Sequence, residues 1–313
     1  MTDFFVNLAV AVAIFAMLSS ALNILVGYTG VLSMSHAAIF GIGAYTAAVL
    51  MVDHGWGYAS SLLAAIVLGC AVSAVVAIPS LRVSGDYFAV ASFGTQFVVS
   101  DVFTNLVDVT RGPAGIPGIP AYSVGGISTS TPQGGLVVAV AFLVVTLVLV
   151  RVLVRSRFGL TLRAVRDDET GAQALGKSVA LTKVMAAVIS GGLAAAAGTL
   201  YAVYYQYISP ETFDIHQSIL VLTMVIIGGV ATIWGPVVGA VLLGALPELL
   251  RFLEIPYSLA GPIQQLIYAT ALLLAAMFLP QGIVAEREPR TARAMARMAE
   301  SAPEPKVGSG RGE

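Results

Sequence analysis

Residues 155 to 183, RSRFGLTLRAVRDDETGAQALGKSVALTK, form the one long polar passage in the middle of a chain that otherwise reads as membrane. The passage carries Arg155, Arg157, Arg163, Arg166, Lys177 and Lys183 against Asp167, Asp168 and Glu169, and Arg151 stands just before it. Loops that stay in the cytoplasm retain Lys and Arg, so this one is expected to face the cytoplasm. Leu162, Val165, Glu169 and Ala172 fall three or four apart, which predicts one side of a short helix. A helix of two or three turns held against the membrane by flanking spans is a surface on which another protein can push.

The same stretch contains a look-alike. Gly171, Gly176, Lys177 and Ser178 fit G-x-x-x-x-G-K-[ST], the pattern of a phosphate-cradling loop. That loop works because it joins a buried strand to a helix N-terminus, where backbone N–H groups converge on phosphate. Here the residues before Gly171 are RAVRDDET, with no strand-like run of Val and Ile, and apolar segments close in on both sides. The match is read as a coincidence.

Composition sets the class. Of 313 residues, 58% are hydrophobic and 11% charged, with mean hydropathy +0.90, more apolar surface than a water-soluble domain of this size needs. A polytopic membrane protein is expected. The net charge of -1 points to neither nucleic acid nor a strongly acidic partner. Cys70 is the single cysteine, which excludes an intrachain disulfide, and His36, His54 and His216 are too scattered to propose a metal site. Seven of the sixteen Lys and Arg lie in 151 to 183 and six in the tail after 285, leaving Arg82, Arg111 and Arg251. Both clusters are expected on the cytoplasmic side, separated by an even number of spans.

Hydropathy then divides the chain into about nine spans (eight to ten) of an all-α helical bundle occupying 1–284, with the loop 155–183 inside it and a polar cytoplasmic tail over 285–313. The expected spans are 4–26, 27–52, 58–79, 87–107, 136–154, 184–205, 218–233, 236–253 and 260–279. The first lacks a basic leader and a small-residue cleavage site, so it is expected to remain in the mature protein. The second is rich in Gly, Ala and Ser, residues that let helices approach closely or break. Residues 111–135, RGPAGIPGIPAYSVGGISTSTPQGG, are a loop by turn chemistry, expected to fold over the outer mouth. Five spans before the basic loop place the N-terminus outside and the C-terminus in the cytoplasm. Arg287, Arg290, Arg293 and Arg297 lie three or four apart and form either a basic face for anionic lipid or part of a disordered tail. GVLSM at 30–34 echoes GVATI at 229–233, a hint of the internal repeats from which many transporters are built.

Few polar groups interrupt the spans. Asp at a helix centre costs about 2.5–3.5 kcal/mol on insertion scales, so Asp101 is expected to face protein or water. Asp101, Asn105 and Asp108 follow four and three apart on one helix face. The candidate lining of a substrate path is Ser33, His36, Gln96, Asp101 and Asn105; for His36 a helix-to-helix hydrogen bond is the plainer reading. A proton-coupled carrier would need several intramembrane carboxylates, and only Asp101 and Glu248 qualify, Glu248 lying close to Arg251. Energy is therefore expected to enter through the cytoplasmic loop.

Several passages carry a family resemblance. ALNILVGYTGVLSMSHAAIFGIGAYTAA (21–48), LRVSGDYFAVASFG (81–94), RGPAGIPGIP (111–120), SRFGLTLRAVRDDETGAQALGKSV (156–179), ISGGLAAAAGTLYAVYYQYISPETF (189–213), MVIIGGVATIWGPVVGA (224–240) and FLPQG (278–282) run in order through nearly the whole chain. Together they resemble the LivM-like permease subunits of bacterial branched-chain amino acid ABC importers. The resemblance implies a multi-pass inner-membrane subunit without enzymatic activity or cofactor, working with a second permease chain, two ATPase subunits below and an extracytoplasmic substrate-binding protein above. It implies that a Glu-Ala-Ala-like element, here Glu169, Ala172, Ala174, Leu175 and Gly176, docks on the ATPase, with Arg163 and Arg166 leading into it. The substrate would be a branched-chain or other apolar amino acid. Arg111 stands where such permeases usually have a second Gly, and the polar set in 96–105 differs from theirs, which leaves substrates of related permeases, urea and short amides, as an alternative. An ion-coupled carrier acting alone is the rival from a different class.

Overall fold

The computed structural model describes residues 2–78, 85–124, 127–246, 257–278 and 282–284. Twelve helices run through these residues. They are α1 (Thr2–Thr29), α2 (His36–Val52), α3 (Tyr58–Ala77), α4 (Gly85–Asn105), the single turn α5 (Val107–Thr110), α6 (Pro132–Arg155), α7 (Arg157–Asp167), α8 (Glu169–Ala174), α9 (Val179–Tyr205), α10 (Ile215–Gly228), α11 (Gly235–Gly244) and α12 (Tyr257–Phe278). Each of the nine apolar segments expected from hydropathy contains one of these helices. Among the described residues, five stretches are long and apolar enough to cross a membrane: Asp3–Thr29, Tyr58–Ala77, Pro132–Arg155, Val179–Tyr205 and Pro210–Gly228. A helix satisfies its backbone within one segment, which is why apolar sequence of this kind folds helically in lipid.

The interior is built from small residues. Helix α9, with its ISGGLAAAAGTL passage, packs against α1, α2 and α3. The approach is so close that a Cβ on Gly43 would lie 2.1 Å from the Ala195 carbonyl oxygen, and one on Gly198 would lie 2.0 Å from that of Phe40. Between lipid-soluble helices there is little hydrophobic drive to associate, so van der Waals contact across such flat faces has to supply the cohesion. Contacts also fix direction: Ser19 meets Pro236 while Val12 meets Gly244, so α11 runs antiparallel to α1.

The two ends of the bundle differ. At one end lie α7 and α8. At the other, short strands join two loops: Ile116–Pro117 pairs antiparallel with Tyr207–Ile208, and Ser123–Val124 pairs antiparallel with Ile127–Ser128. Ile116, Ile119, Ile208 and Phe213 are fully buried beneath them. The described residues of the Gly/Pro-rich loop thus form a cap, and its last residues, from Pro132, already belong to α6.

Several local expectations are revised. The second span is not continuous: α1 runs on to Thr29, and Gly30–Ser35 is non-helical before α2 begins. Leu162, Val165, Glu169 and Ala172 are divided between α7 and α8, because the Asp168 carboxylate captures the amides of Thr170 and Gly171 and starts a new helix. Leu162, Val165 and Ala172 still face inward, whereas Glu169 is exposed. Asp108 leaves the face of Asp101 and Asn105, because Leu106 breaks the helix with φ −83° and ψ 60°. Arg82, the Glu248 and Arg251 pair, the loop residues 81–84 and the tail 285–313 lie outside the described residues.

Candidate functional site: the polar hairpin and two broken helices

The hairpin α7–α8 is fastened to the bundle and open at its tip. Ser156 caps α7, its Oγ accepting from the Gly159 amide, and Ser178 caps α9 by accepting from Leu181. Between them α8 ends at Gly176, whose φ of +76° favours glycine. No strand precedes Gly171, so the phosphate-loop look-alike is a helix, a turn and a second cap. Val165, Ala172 and Val179 form a small buried core under the hairpin. Lys183, almost buried, donates to the Glu169 carboxylate at 2.6 Å and anchors α8 to α9. Outward point Ala174, Leu175, Gly176 and Lys177, with Leu175 80% exposed.

From the inner side of the hairpin, two cations reach the end of α1. Arg166 donates to the Gly27 carbonyl oxygen at 3.0 Å, and the Arg163 guanidinium lies 5.6 Å from the centre of the Tyr28 ring. Past Thr29 the chain turns at Gly30, φ +70°, against the Arg166 side chain. The segment that follows is held by distant residues. The Met34 amide donates to Ser92 Oγ, and the first amides of α2, those of Ala37 and Ala38, donate to Ser218 Oγ and Gln96 Oε1 at 3.0 and 2.9 Å. Ser35, at the N-cap position, makes no side-chain cap of its own. Gln96 therefore caps α2 from another helix, and its amide also takes the Ser218 hydroxyl and donates to the Phe213 carbonyl.

A second interruption, Gly229–Trp234, separates α10 from α11, and it is the other half of the GVLSM and GVATI echo. Asn23 of α1 grips it twice, donating to the Thr232 carbonyl at 2.7 Å and accepting from the Ala231 amide at 3.0 Å. Ala231 has φ +59°, an uncommon conformation for a residue with a Cβ, and the Asn23 bonds hold it there. Gly27 packs so closely on this segment that a Cβ would sit 2.6 Å from the Ala231 nitrogen. The Ile283 and Val284 amides close the far side by donating to the carbonyls of Ile227 and Gly228.

The five candidate path residues divide into two groups. Ser33, His36 and Gln96 are each 1% exposed and lie among the broken helices. Ser190 donates its one hydroxyl proton to the Ala21 carbonyl, so His36 Nε2 donates to Ser190 Oγ, and Nδ1 is left to accept from Ser33. This is the helix-to-helix hydrogen bond expected for His36. Asp101 and Asn105 instead face outward from α4, with Asn105 bonded to the Asp101 carbonyl. The structure does not bring the two groups together. Sequence reasoning missed Asn23, although an amide in an apolar helix is itself a signal. Ser190, Ser218 and Ser92 gave none, since serine is ordinary in membrane helices.

Residues 4–279 match the family model described as branched-chain amino acid transport system / permease component. The chain belongs to this family. The high-affinity branched-chain amino acid transport system permease protein LivM of Salmonella typhimurium is 30% identical over 308 residues, covering 91% of this chain and 71% of the relative. The Escherichia coli protein of that name aligns to the same extent. LivH of Escherichia coli is 24% identical over 294 residues, covering 88% of this chain and 92% of the relative. No solved structure matches. As in its family, the chain is a multi-pass permease component with membrane-capable helices. Arg111 itself has φ +60°, where glycine is at ease, and its guanidinium bonds Asp53 at 2.8 Å.

Proposed function

We propose that the chain is the permease subunit of an ATP-driven importer that moves branched-chain or other apolar amino acids inward by alternating access. A second permease chain completes the pathway, two ATPase subunits engage the α7–α8 hairpin, and an extracytoplasmic binding protein delivers substrate over the cap formed by 111–124, 127–131 and 206–214. In this reading nine helical elements lie within an inner membrane, the N-terminus is outside, and α7–α8 face the cytoplasm. Ala174, Leu175 and Gly176 contact the ATPase; Glu169 and Ala172 position them; Arg163 and Arg166 pass the movement to α1. Asp101 and Asn105 face the second permease chain across the pathway, while Ser33, His36 and Gln96 shape the broken helices that open and close it.

The observation that carries this reading is the Arg166 bond to Gly27, which ties an exposed hairpin tip to the edge of both helix breaks. A rigid-body push on α7 has a contiguous route to segments with few helical bonds of their own, the requirement for a coupled two-state element. Reversing charge at Glu169 and Arg166 together should leave the assembled complex folded and hydrolysing ATP while uptake falls by tenfold or more, on the order of typical coupling energies. Normal uptake by that variant would remove the hairpin from the mechanism. Asp101→Ala should lower uptake more than Cys70→Ala; equal effects would take Asp101 off the path. Gradient-driven uptake by the purified chain alone would favour a secondary carrier, and transport of urea but not leucine would reassign the substrate.

A further inference from the structure

A second feature lies apart from the two breaks. A groove of about 740 Å³ runs between α3 and α6, floored by Met17 of α1 and by Ile189, Gly192 and Leu193 of α9. Its walls are almost wholly apolar, and Cys70 and Thr146 are among the few polarisable groups in it. Along α6 it extends from Phe142 to Ser156. At 1.5 Å per residue that is about 21 Å, compared with about 15 Å for one leaflet of a 30 Å hydrocarbon core. Helix α6 is the most apolar of the five membrane-capable helices and one of the least covered, with Val145, Leu149 and Val152 all more than half exposed. A face lining a route for a zwitterionic solute would carry polar groups, as α4 does at Asp101 and Asn105.

What ends the groove identifies its occupant. Ser156 closes it where α6 meets α7, and Arg155 and Arg157 flank that serine, both exposed. Arg155 follows Val152 by three residues, so it continues the groove face. Neither arginine, nor Arg151 one turn earlier, pairs with a carboxylate among the described residues. An apolar trough at least one leaflet deep, finished by cations that no described carboxylate neutralises, has the chemistry of an anionic phospholipid: acyl chain in the groove, phosphate on Arg155 and Arg157.

We infer that this groove is a binding site for an anionic membrane phospholipid. The test uses the full chain with its partners in membranes containing phosphatidylglycerol or phosphatidylcholine that carry the same photoreactive acyl chain. Cross-links are expected on the segments 62–70 and 142–156, with phosphatidylglycerol preferred roughly tenfold, the order of effect of one or two basic residues at an anionic surface. Arg155→Gln with Arg157→Gln should erase the preference, and Cys70→Trp, which fills the groove from its α3 wall, should reduce labelling by both lipids. Unlabelled phosphatidylglycerol should compete on the native chain, so the result does not depend on the variants folding. Equal labelling by the two lipids, labelling unaffected by Cys70→Trp or by competitor, or capture of another protein from a photoreactive residue at Leu149 would each overturn the assignment.

Discussion

The two interruptions, Gly30–Ser35 and Gly229–Trp234, share a sequence echo and a positive-φ glycine at their start, yet they are held in different ways. The second is largely self-supporting. Thr232 accepts from the Gly235 amide and so caps α11 from within, Gly228 and Gly239 pack against neighbouring backbone, and Asn23 on one side and the 283–284 backbone on the other close around the turn. The first has no cap of its own; Ser92, Gln96, Ser218 and Arg166 hold it from three other parts of the chain. A segment whose backbone partners belong to other helices moves when those helices move. On the proposed function, the first break is the one that the hairpin would command, and the second the edge against which it would work.

The comparison can be broken at its most rigid point. Gly229→Val puts a branched side chain at φ +125°, with its Cβ 2.1 Å from the Val284 carbonyl oxygen. The strain alone is about 1–3 kcal/mol, and the clash adds to it, so folded protein should be nearly lost, as read by detergent-solubilised yield and thermal melting. Gln96→Leu comes next, because it strips three hydrogen bonds from the first break. At about 0.6–1.7 kcal/mol for each bond in a membrane interior, roughly 2–5 kcal/mol should disappear from unfolding measurements. Asn23→Ala leaves the Ala231 amide unpaired and should cost about 1–3 kcal/mol, with Asn23→Asp recovering only the accepted bond.

Smaller effects sharpen the distinction. Gly30→Ala should cost about 1–2 kcal/mol for its left-handed backbone, because the nearest atom, Arg166 Cγ at 3.2 Å, belongs to a flexible side chain that can yield. Uptake should suffer more from Gly30→Ala than its stability loss explains, and less from an equally destabilising change in α11. At the opposite end, Arg111→Gly relieves the same kind of strain and loses one exposed ion pair worth about 0–1 kcal/mol. Thermal melting should find it neutral to slightly stabilised. A large loss there would mean that the cap, rather than the breaks, governs the stability of the bundle.

Sequence alone determined that the chain is helical and membrane-borne, where its apolar segments lie, and which passage is the polar hairpin. These follow from composition and charge placement, which act over a few neighbouring residues and survive any arrangement of the helices. It also marked Gly30 and Gly229 through their echo, and the buried side of the hairpin through Leu162, Val165 and Ala172. Tertiary structure decided what those features do to one another. That Gln96 caps α2 across 58 residues, that Asn23 holds a turn 208 residues away, and that Asp101 faces outward while His36 is sealed inside were not legible beforehand. Serine, asparagine and glutamine serve equally well as local caps or distant ones, and only the packing of small-residue faces around α9 sets which backbone groups come within their reach.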